Sequence, residues 1–203
     1  MLRLTHIVLL SLFGLSSISA QDYIDGYVIS NQGDSIFGLV REASIFKHQK
    51  KIHFVDYNGA KVVYHADRIA GYGYGRKHYE SLPIPYLYTG IGSDTIGFMQ
   101  RIVSGPANLY RFYTRHSAFT LQKGAAYVDF ILTPEDEWFE VSPNFRWKRV
   151  AEAFEENPEL VSKIEHNNFP LGQTEFVVRA FNQWYEARDE EESTLRVSRA
   201  DSD

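Results

Sequence analysis

The sequence predicts a β-dominated α+β fold, with two small antiparallel β modules (sheet, sandwich or half-barrel) followed by about three C-terminal helices. Three observations carry this expectation. From Tyr23 to Ser142, apolar residues alternate with polar ones in short runs broken by Gly, Asn, Asp and Pro, the pattern of half-buried strands and turns. After Ser142 the apolar spacing lengthens to i, i+3, i+4, i+7, which is helical. Aromatic residues make up 15% of the chain, with 13 Tyr, 14 Phe and 3 Trp, and such side chains suit a pleated surface.

The chain opens with a segment unlike the rest. Residues 1–20 combine a basic start at Arg3, an apolar run from Ile7 to Leu15 and a small-residue exit of Ser16, Ser17, Ser19 and Ala20. This is the layout of a secretory signal peptide. Its apolar run falls short of the roughly 20 residues needed to span a bilayer. Cleavage after Ala20 would leave Gln21 first. The expectation is an exported protein that is periplasmic, secreted or peripherally associated with the outer membrane, with no integral span after cleavage. The chain has no cysteine, so it carries neither a lipoprotein-type anchor nor a disulfide, and its own core must hold it. At 203 residues it is long enough for one domain or two small ones.

The first module is expected over residues 21–82. Tyr23–Ser30 and Ser35–Glu42 flank Asn31-Gln32-Gly33-Asp34, where Gly33 supplies a positive φ. Lys51–Tyr57 and Ala60–His65 flank Asn58-Gly59, a strong hairpin signal. A two-residue loop there sets Asp56 opposite Lys61, Val55 opposite Val62, Phe54 opposite Val63 and His53 opposite Tyr64. Arg68 to Pro83 reads as a strand pair or one bent strand rich in Tyr and Gly. Residues 83–94, with two prolines and two glycines between Leu82 and Asp94, form a loop that ends the module.

The second module is expected over residues 95–142. Thr95–Val103 and Asn108–Arg115 flank Ser104-Gly105-Pro106-Ala107. Ala118–Lys123, Ala126–Thr133 and Glu137–Ser142 each alternate with period two. A helical cap follows over residues 143–188. Ser142-Pro143 and Asn157-Pro158 are N-cap and first-turn proline pairs. Trp147, Val150, Ala151 and Phe154 form one apolar stripe, and Leu160, Val161 and Ile164 a second. Val177, Ala180, Phe181, Trp184 and Tyr185 form the third, on a helix opened by Thr174. Residues 189–203 are too charged to bury apolar area and are expected to be a disordered acidic tail.

Charge sets aside one class of partner. The chain carries −5 overall. Losing Arg3 with the leader makes −6, of which seven acids and three arginines in residues 186–203 account for −4. No basic stripe is present, so nucleic acid is not an expected partner.

Motifs for known chemistry are sparse. Gly71-Tyr72-Gly73-Tyr74-Gly75 has glycines at nucleotide-loop spacing, but the phosphate site needs a helix opening at its end. Arg76, Lys77, His78 and Tyr79 lead instead into the proline loop, so a strand with glycines beside large rings is expected. The seven histidines show no metal-ligand spacing, and the expected register sends His53 and His65 to opposite faces, so neither a metal nor a cofactor is expected. No Gly-x-Ser-x-Gly elbow occurs. The Asp136/Glu137 and Glu155/Glu156 pairs are sequence neighbours whose side chains diverge. The strongest candidate is aromatic. Tyr72, Tyr74, Tyr79, Tyr86 and Tyr88 gather around the inter-module loop with Arg76, Lys77 and His78. Rings with polar tips suit a partner or ligand surface; the competing reading is inter-module packing.

The run Gly26 to Gly38, reading Gly-Tyr-Val-Ile-Ser-Asn-Gln-Gly-Asp-Ser-Ile-Phe-Gly, resembles the opening of uncharacterised secreted proteins common in Bacteroidota. Arg68 to Tyr72, Arg101 to Gly105 before Leu109-Tyr110, and the close at Phe181-Asn182-Gln183-Trp184-Tyr185 are similar to later pieces of that group. The resemblance implies export and a β-rich body with a helical tail, and no activity. The functional expectation is a non-enzymatic envelope protein that binds an envelope protein or a glycan through aromatic strand and loop surfaces. The alternatives are an envelope hydrolase with a non-motif active site and a small outer-membrane β-barrel.

Overall fold

A computed structural model describes residues 23–85, 95–114, 126–141, 146–167 and 173–200. The leader, Tyr86, Tyr88, the strand expected at Ala118–Lys123 and the Ser142-Pro143 cap lie outside these residues. The strands are β1 (Tyr23–Ile29), β2 (Ser35–Arg41), β3 (Lys51–Asp56), β4 (Lys61–His65), β5 (Gly71–Tyr74), β6 (Lys77–Ile84), β7 (Thr95–Val103), β8 (Asn108–Thr114), β9 (Ala126–Leu132) and β10 (Trp138–Val141). The helices are α1 (Ile45–His48), α2 (Arg146–Glu152), α3 (Pro158–Asn167) and α4 (Thr174–Ala200).

Turn chemistry sets the registers. Three hairpins use the same three-residue loop. In each, the residue before the loop donates its N–H to the carbonyl four residues on, and accepts at its own carbonyl from the N–H three residues on: Ser30/Asp34, Asp56/Ala60 and Thr133/Glu137. The third loop residue takes a positive φ, +92° at Gly33, +87° at Gly59 and 62° at Asp136. This is a type I turn followed by a left-handed bulge residue. The side chain of the leading residue completes each one. Ser30 Oγ accepts from the N–H of Gln32 and Asp34, Asp56 Oδ1 from Asn58 and Ala60, and Thr133 Oγ1 from Glu137.

The middle hairpin corrects the expected register. Its loop has three residues rather than two, so Val55 faces Lys61, Phe54 faces Val62, His53 faces Val63 and Ile52 faces Tyr64. A slip of one residue moves every side chain to the other face of its partner strand. His53 and His65 therefore share a face. Among the described residues, no three or more His, Cys, Asp or Glu side chains gather to hold a metal.

All ten strands form one antiparallel sheet in the order β10-β9-β8-β7-β6-β5-β1-β2-β3-β4. The two groups of strands expected as separate modules are joined by β6 and β7, which pair from His78↔Arg101 to Ile84↔Thr95. Leu82 and Pro83 belong to β6, with Pro83 opposite Ile96. Proline is tolerated there because β5 ends opposite Glu80, leaving the end of β6 with a strand on one side only.

The N-terminal half of the sheet must roll. Three strands lie between β4 and β5 in the strand order, a lateral distance of about 19 Å if the sheet were flat. The five-residue link 66–70 begins with a turn, Arg68 N–H to His65 O at 3.0 Å, so it cannot extend that far. Rolling brings Val28, Val40, Ile52, Phe54, Ala66, Ile69, Tyr72, Tyr74, Tyr79 and Phe98 into one core.

The helices close the other end. Asn157 caps α3, its Oδ1 accepting from the Leu160 N–H at 3.0 Å, as the Asn-Pro signal predicts. The three expected apolar stripes meet in one core with Val103, Leu109, Ile131 and Val141 of the sheet. Phe154 stacks on Phe181 with ring centroids 4.4 Å apart. Asn182, 6% exposed, ties α4 to the β7–β8 turn. Its Oδ1 accepts from Ala107 N–H at 2.8 Å and its Nδ2 donates to Ala107 O at 2.9 Å. α4 runs on to Ala200, past the point where a disordered tail was expected. After Thr174 it contains neither Gly nor Pro, and its Glu, Arg, Ala and Leu are good helix formers. Arg188 anchors the start of this extension by bonding Glu156 at 2.9 Å and covering the Trp184 and Tyr185 rings.

Candidate functional site

The tyrosine cluster divides between the two faces of the sheet. Tyr72, Tyr74 and Tyr79 point into the roll and are 0%, 5% and 0% exposed. They form a stacked core group in place of the expected binding surface, because alternation in β5 sends both tyrosines inward and Gly71 and Gly73 outward. Tyr72 and Tyr79 are cross-strand partners with rings 4.6 Å apart and 4° from parallel. The Gly-Tyr-Gly-Tyr-Gly run is a strand entering a hairpin, with Gly75 at φ +56°, and no helix follows it. Arg76 and Lys77 are exposed at this hairpin tip, and the Lys77 ammonium lies 5.4 Å from the Tyr74 ring centroid.

His48 of α1 completes the inner group. It is 1% exposed and stacks on Tyr74 at 5.1 Å. Its Nε2 accepts from the Ala43 N–H at 3.0 Å. The ring proton therefore sits on Nδ1, which donates to Tyr72 Oη at 3.2 Å, while the Tyr72 hydroxyl donates to His48 O at 3.1 Å. Burial, with the Lys77 charge second, pushes the imidazole down to about 4. Burial, together with Tyr79 and Tyr74, holds the Tyr72 hydroxyl far above its usual range. Tyr79 Oη and Gln49 Nε2 are buried without a hydrogen-bond partner.

The outward face carries the polar chemistry. One lateral row runs Phe37, Tyr27, Gly73, His78, Arg101, Tyr110 and Phe130 across seven adjacent strands. Gly73 is the open position in that row. A Cβ there would lie 2.6 Å from Tyr27 Cζ and Oη, so glycine lets the Tyr27 ring lie across β5 and reach His78. Tyr27 Oη is 2.8 Å from His78 Nδ1, and His78 Nε2 is 3.2 Å from Glu80 Oε1. Arg101 Nη1 also donates to Oε1, and Tyr110 Oη donates to Oε2 at 2.6 Å. Burial pushes the Glu80 carboxyl up, but bonds from His78 and Tyr110 and the Arg101 charge outweigh it and hold it below the usual range. Glu80 is thus a carboxylate and only accepts. In the neutral imidazole tautomer that pairs with it, His78 carries its proton on Nε2 and the Tyr27 hydroxyl donates to Nδ1.

Beside this network the same face exposes apolar rings. Phe37 is 61% exposed and Tyr57 is 67% exposed. The Phe37 ring lies 6.2 Å from that of Tyr27. The Tyr57 hydroxyl donates to Asp25 Oδ1 at 3.2 Å, placing its ring on the face that holds Asp25 and Tyr27. On the inward face, Arg111 makes a two-pronged pair with Asp129 at 2.7 and 3.0 Å and covers the Tyr127 ring at 3.8 Å.

Of the candidate site residues from sequence that are described, only His78 belongs to the outward network. Tyr27, Phe37, Tyr57, Glu80, Arg101 and Tyr110 carry no local signal of a shared site, since strand register brings them together. Comparison with known proteins finds no matching family model, no matching curated protein and no matching solved structure.

Proposed function

We propose that this chain is an exported, non-enzymatic envelope protein that binds glycan through the outward face of β1–β3. The observation that carries the reading is the pair of solvent-facing rings on this face, Phe37 beside Tyr27 and Tyr57 bonded to Asp25. Large rings held in the open on a sheet keep apolar surface in water, a cost that a ligand covering them removes. Flat apolar faces stack on the C–H face of a sugar ring. The Asp25 carboxylate beside Tyr57 and the Tyr27 hydroxyl oxygen supply hydrogen-bonding groups at the rim. The binding surface proposed here lies on the face opposite Tyr72, Tyr74 and Tyr79.

The test is calorimetric titration of the purified protein with soluble oligosaccharides released from bacterial envelope polysaccharide. Binding that weakens about tenfold or more in Phe37→Ala/Tyr57→Ala, with an unchanged melting curve, supports the reading. Absence of binding across the panel, or equal binding by the double variant, defeats it. Capture of a single protein from the envelope fraction by the same face would favour a protein partner instead.

A further inference from the structure

We propose that Tyr27 is a reactive tyrosine, its hydroxyl aimed at a His78–Glu80 relay and positioned to accept an acyl group from an activated ester. The inference does not rest on the glycan reading. A hydroxyl hydrogen-bonded to a base that a third group orients is the general arrangement of an assisted nucleophile. Here Tyr27 Oη to His78 Nδ1 is 2.8 Å and His78 Nε2 to Glu80 Oε1 is 3.2 Å. Glu80 is held in turn by Arg101 and Tyr110. With a neutral imidazole the proton runs from Tyr27 toward Nδ1, because the Glu80 carboxylate takes the Nε2 proton.

Among the described residues, the other tyrosine hydroxyls lack this combination. The Tyr72–His48 pair runs the opposite way, since His48 Nε2 is occupied by the Ala43 N–H and Nδ1 is the donor. Tyr72 and Tyr79 are also buried. Tyr110 is buried and donates to Glu80. Tyr57 is the most open, but it donates to the Asp25 carboxylate, and that bond with the neighbouring negative charge raises its pKa. Tyr27 is partly exposed and donates to an imidazole. Gly73 beneath it keeps the ring flat on the sheet and its hydroxyl within reach of His78.

In the step proposed, Tyr27 Oη forms a bond to the acyl carbon of the ester as the carbon–oxygen bond to the leaving group breaks. The hydroxyl proton passes to His78 Nδ1, giving an imidazolium paired with Glu80. That proton is then lost to solvent and the acyl group stays on Tyr27. His78 is the general base, and Glu80, Arg101 and Tyr110 are positioning residues.

The test uses p-nitrophenyl acetate and the intact purified protein, with acetylated peptides quantified by mass spectrometry. General-base assistance typically contributes ~10²–10⁴-fold, so Tyr27 is expected to acetylate at least about tenfold faster than Tyr57 in the same molecule. His78→Gln should remove that advantage, and Glu80→Gln should reduce it. Replacing solvent H2O by D2O should slow Tyr27 acetylation about twofold in wild type and not in His78→Gln, a readout of proton transfer that a purely structural hydrogen bond would not produce. Acetylation of Tyr57 as fast as Tyr27, or a Tyr27 rate untouched in folded His78→Gln, overturns the proposal. If His78→Gln does not fold, the wild-type Tyr27/Tyr57 ratio and solvent isotope effect decide alone. Glycan binding, read separately by Phe37→Ala/Tyr57→Ala, can fail or succeed independently.

Discussion

Acid should destabilise this protein through His48 before the Glu80 carboxylate takes up a proton. The imidazole is enclosed by Tyr72, Tyr74 and Tyr79, receives the Ala43 N–H at Nε2 and faces the Lys77 charge. Protonation would place a second donor against the Ala43 N–H and a cation in the aromatic core. The folded value is about 4, against 6.5 for a free imidazole. The unfolded chain therefore binds this proton first, and stability is full above 6.5 and falls as pH drops from 6.5 to 4. Between pH 7 and pH 5 the loss is about 2 kcal/mol for the single group. The Glu80 contribution has the opposite origin. Its folded value lies below 4.5, so the stability it supplies is present above 4.5 and fades only as pH falls below that. The assay is urea unfolding of wild type and His48→Gln at pH 7 and pH 5. His48→Gln should be less stable at pH 7, because Tyr72 and Ala43 lose partners, but its loss on acidification should be smaller by about 2 kcal/mol. Any slope from His53, which is also lowered, is common to both proteins and cancels. Equal losses in the two proteins would refute the reasoning.

Three further perturbations probe the architecture. Gly73→Ala should displace the Tyr27 ring and break its bond to His78, costing about 1–2 kcal/mol in chemical denaturation despite the chain-entropy gain; an alanine variant as stable as wild type would show that the ring is not held there. Phe181→Ala removes the ring stacked on Phe154 and should cost about 3–5 kcal/mol, read as a lower urea midpoint. Asn182→Ala strands both polar groups of Ala107 and should cost about 1–3 kcal/mol, with hydrogen exchange at Ala107 N–H rising first; unchanged protection there would mean that the α4–sheet tie is not a local restraint.

Local patterns were enough for the elements. Alternation placed β1, β2 and β7 to within a residue or two, because a half-buried strand exposes its period directly in the sequence. Asn157-Pro158 marked the start of α3, because a cap is a contact between near neighbours. The hairpin at Asn58-Gly59 was visible, but its register was not. The Asp56 carboxylate, by accepting from the N–H of Asn58 in the loop and of Ala60 just after it, selected the three-residue loop and shifted every cross-strand pair by one. Leu82-Pro83 read as a boundary because proline seldom pairs in a sheet, and the setting that tolerates it, the end of β5, is a fact of topology.

The sequence by itself determined the class of fold, the switch from strands to helices and the apolar stripes that bind helix to sheet, since each follows from residues a few positions apart. Only the tertiary structure decided which tyrosines are core and which are surface, and that one row across seven strands brings Tyr27 to His78. The reason is physical. Which side of a sheet a residue faces depends on strand register and order, and these are set by contacts between residues separated by tens of positions.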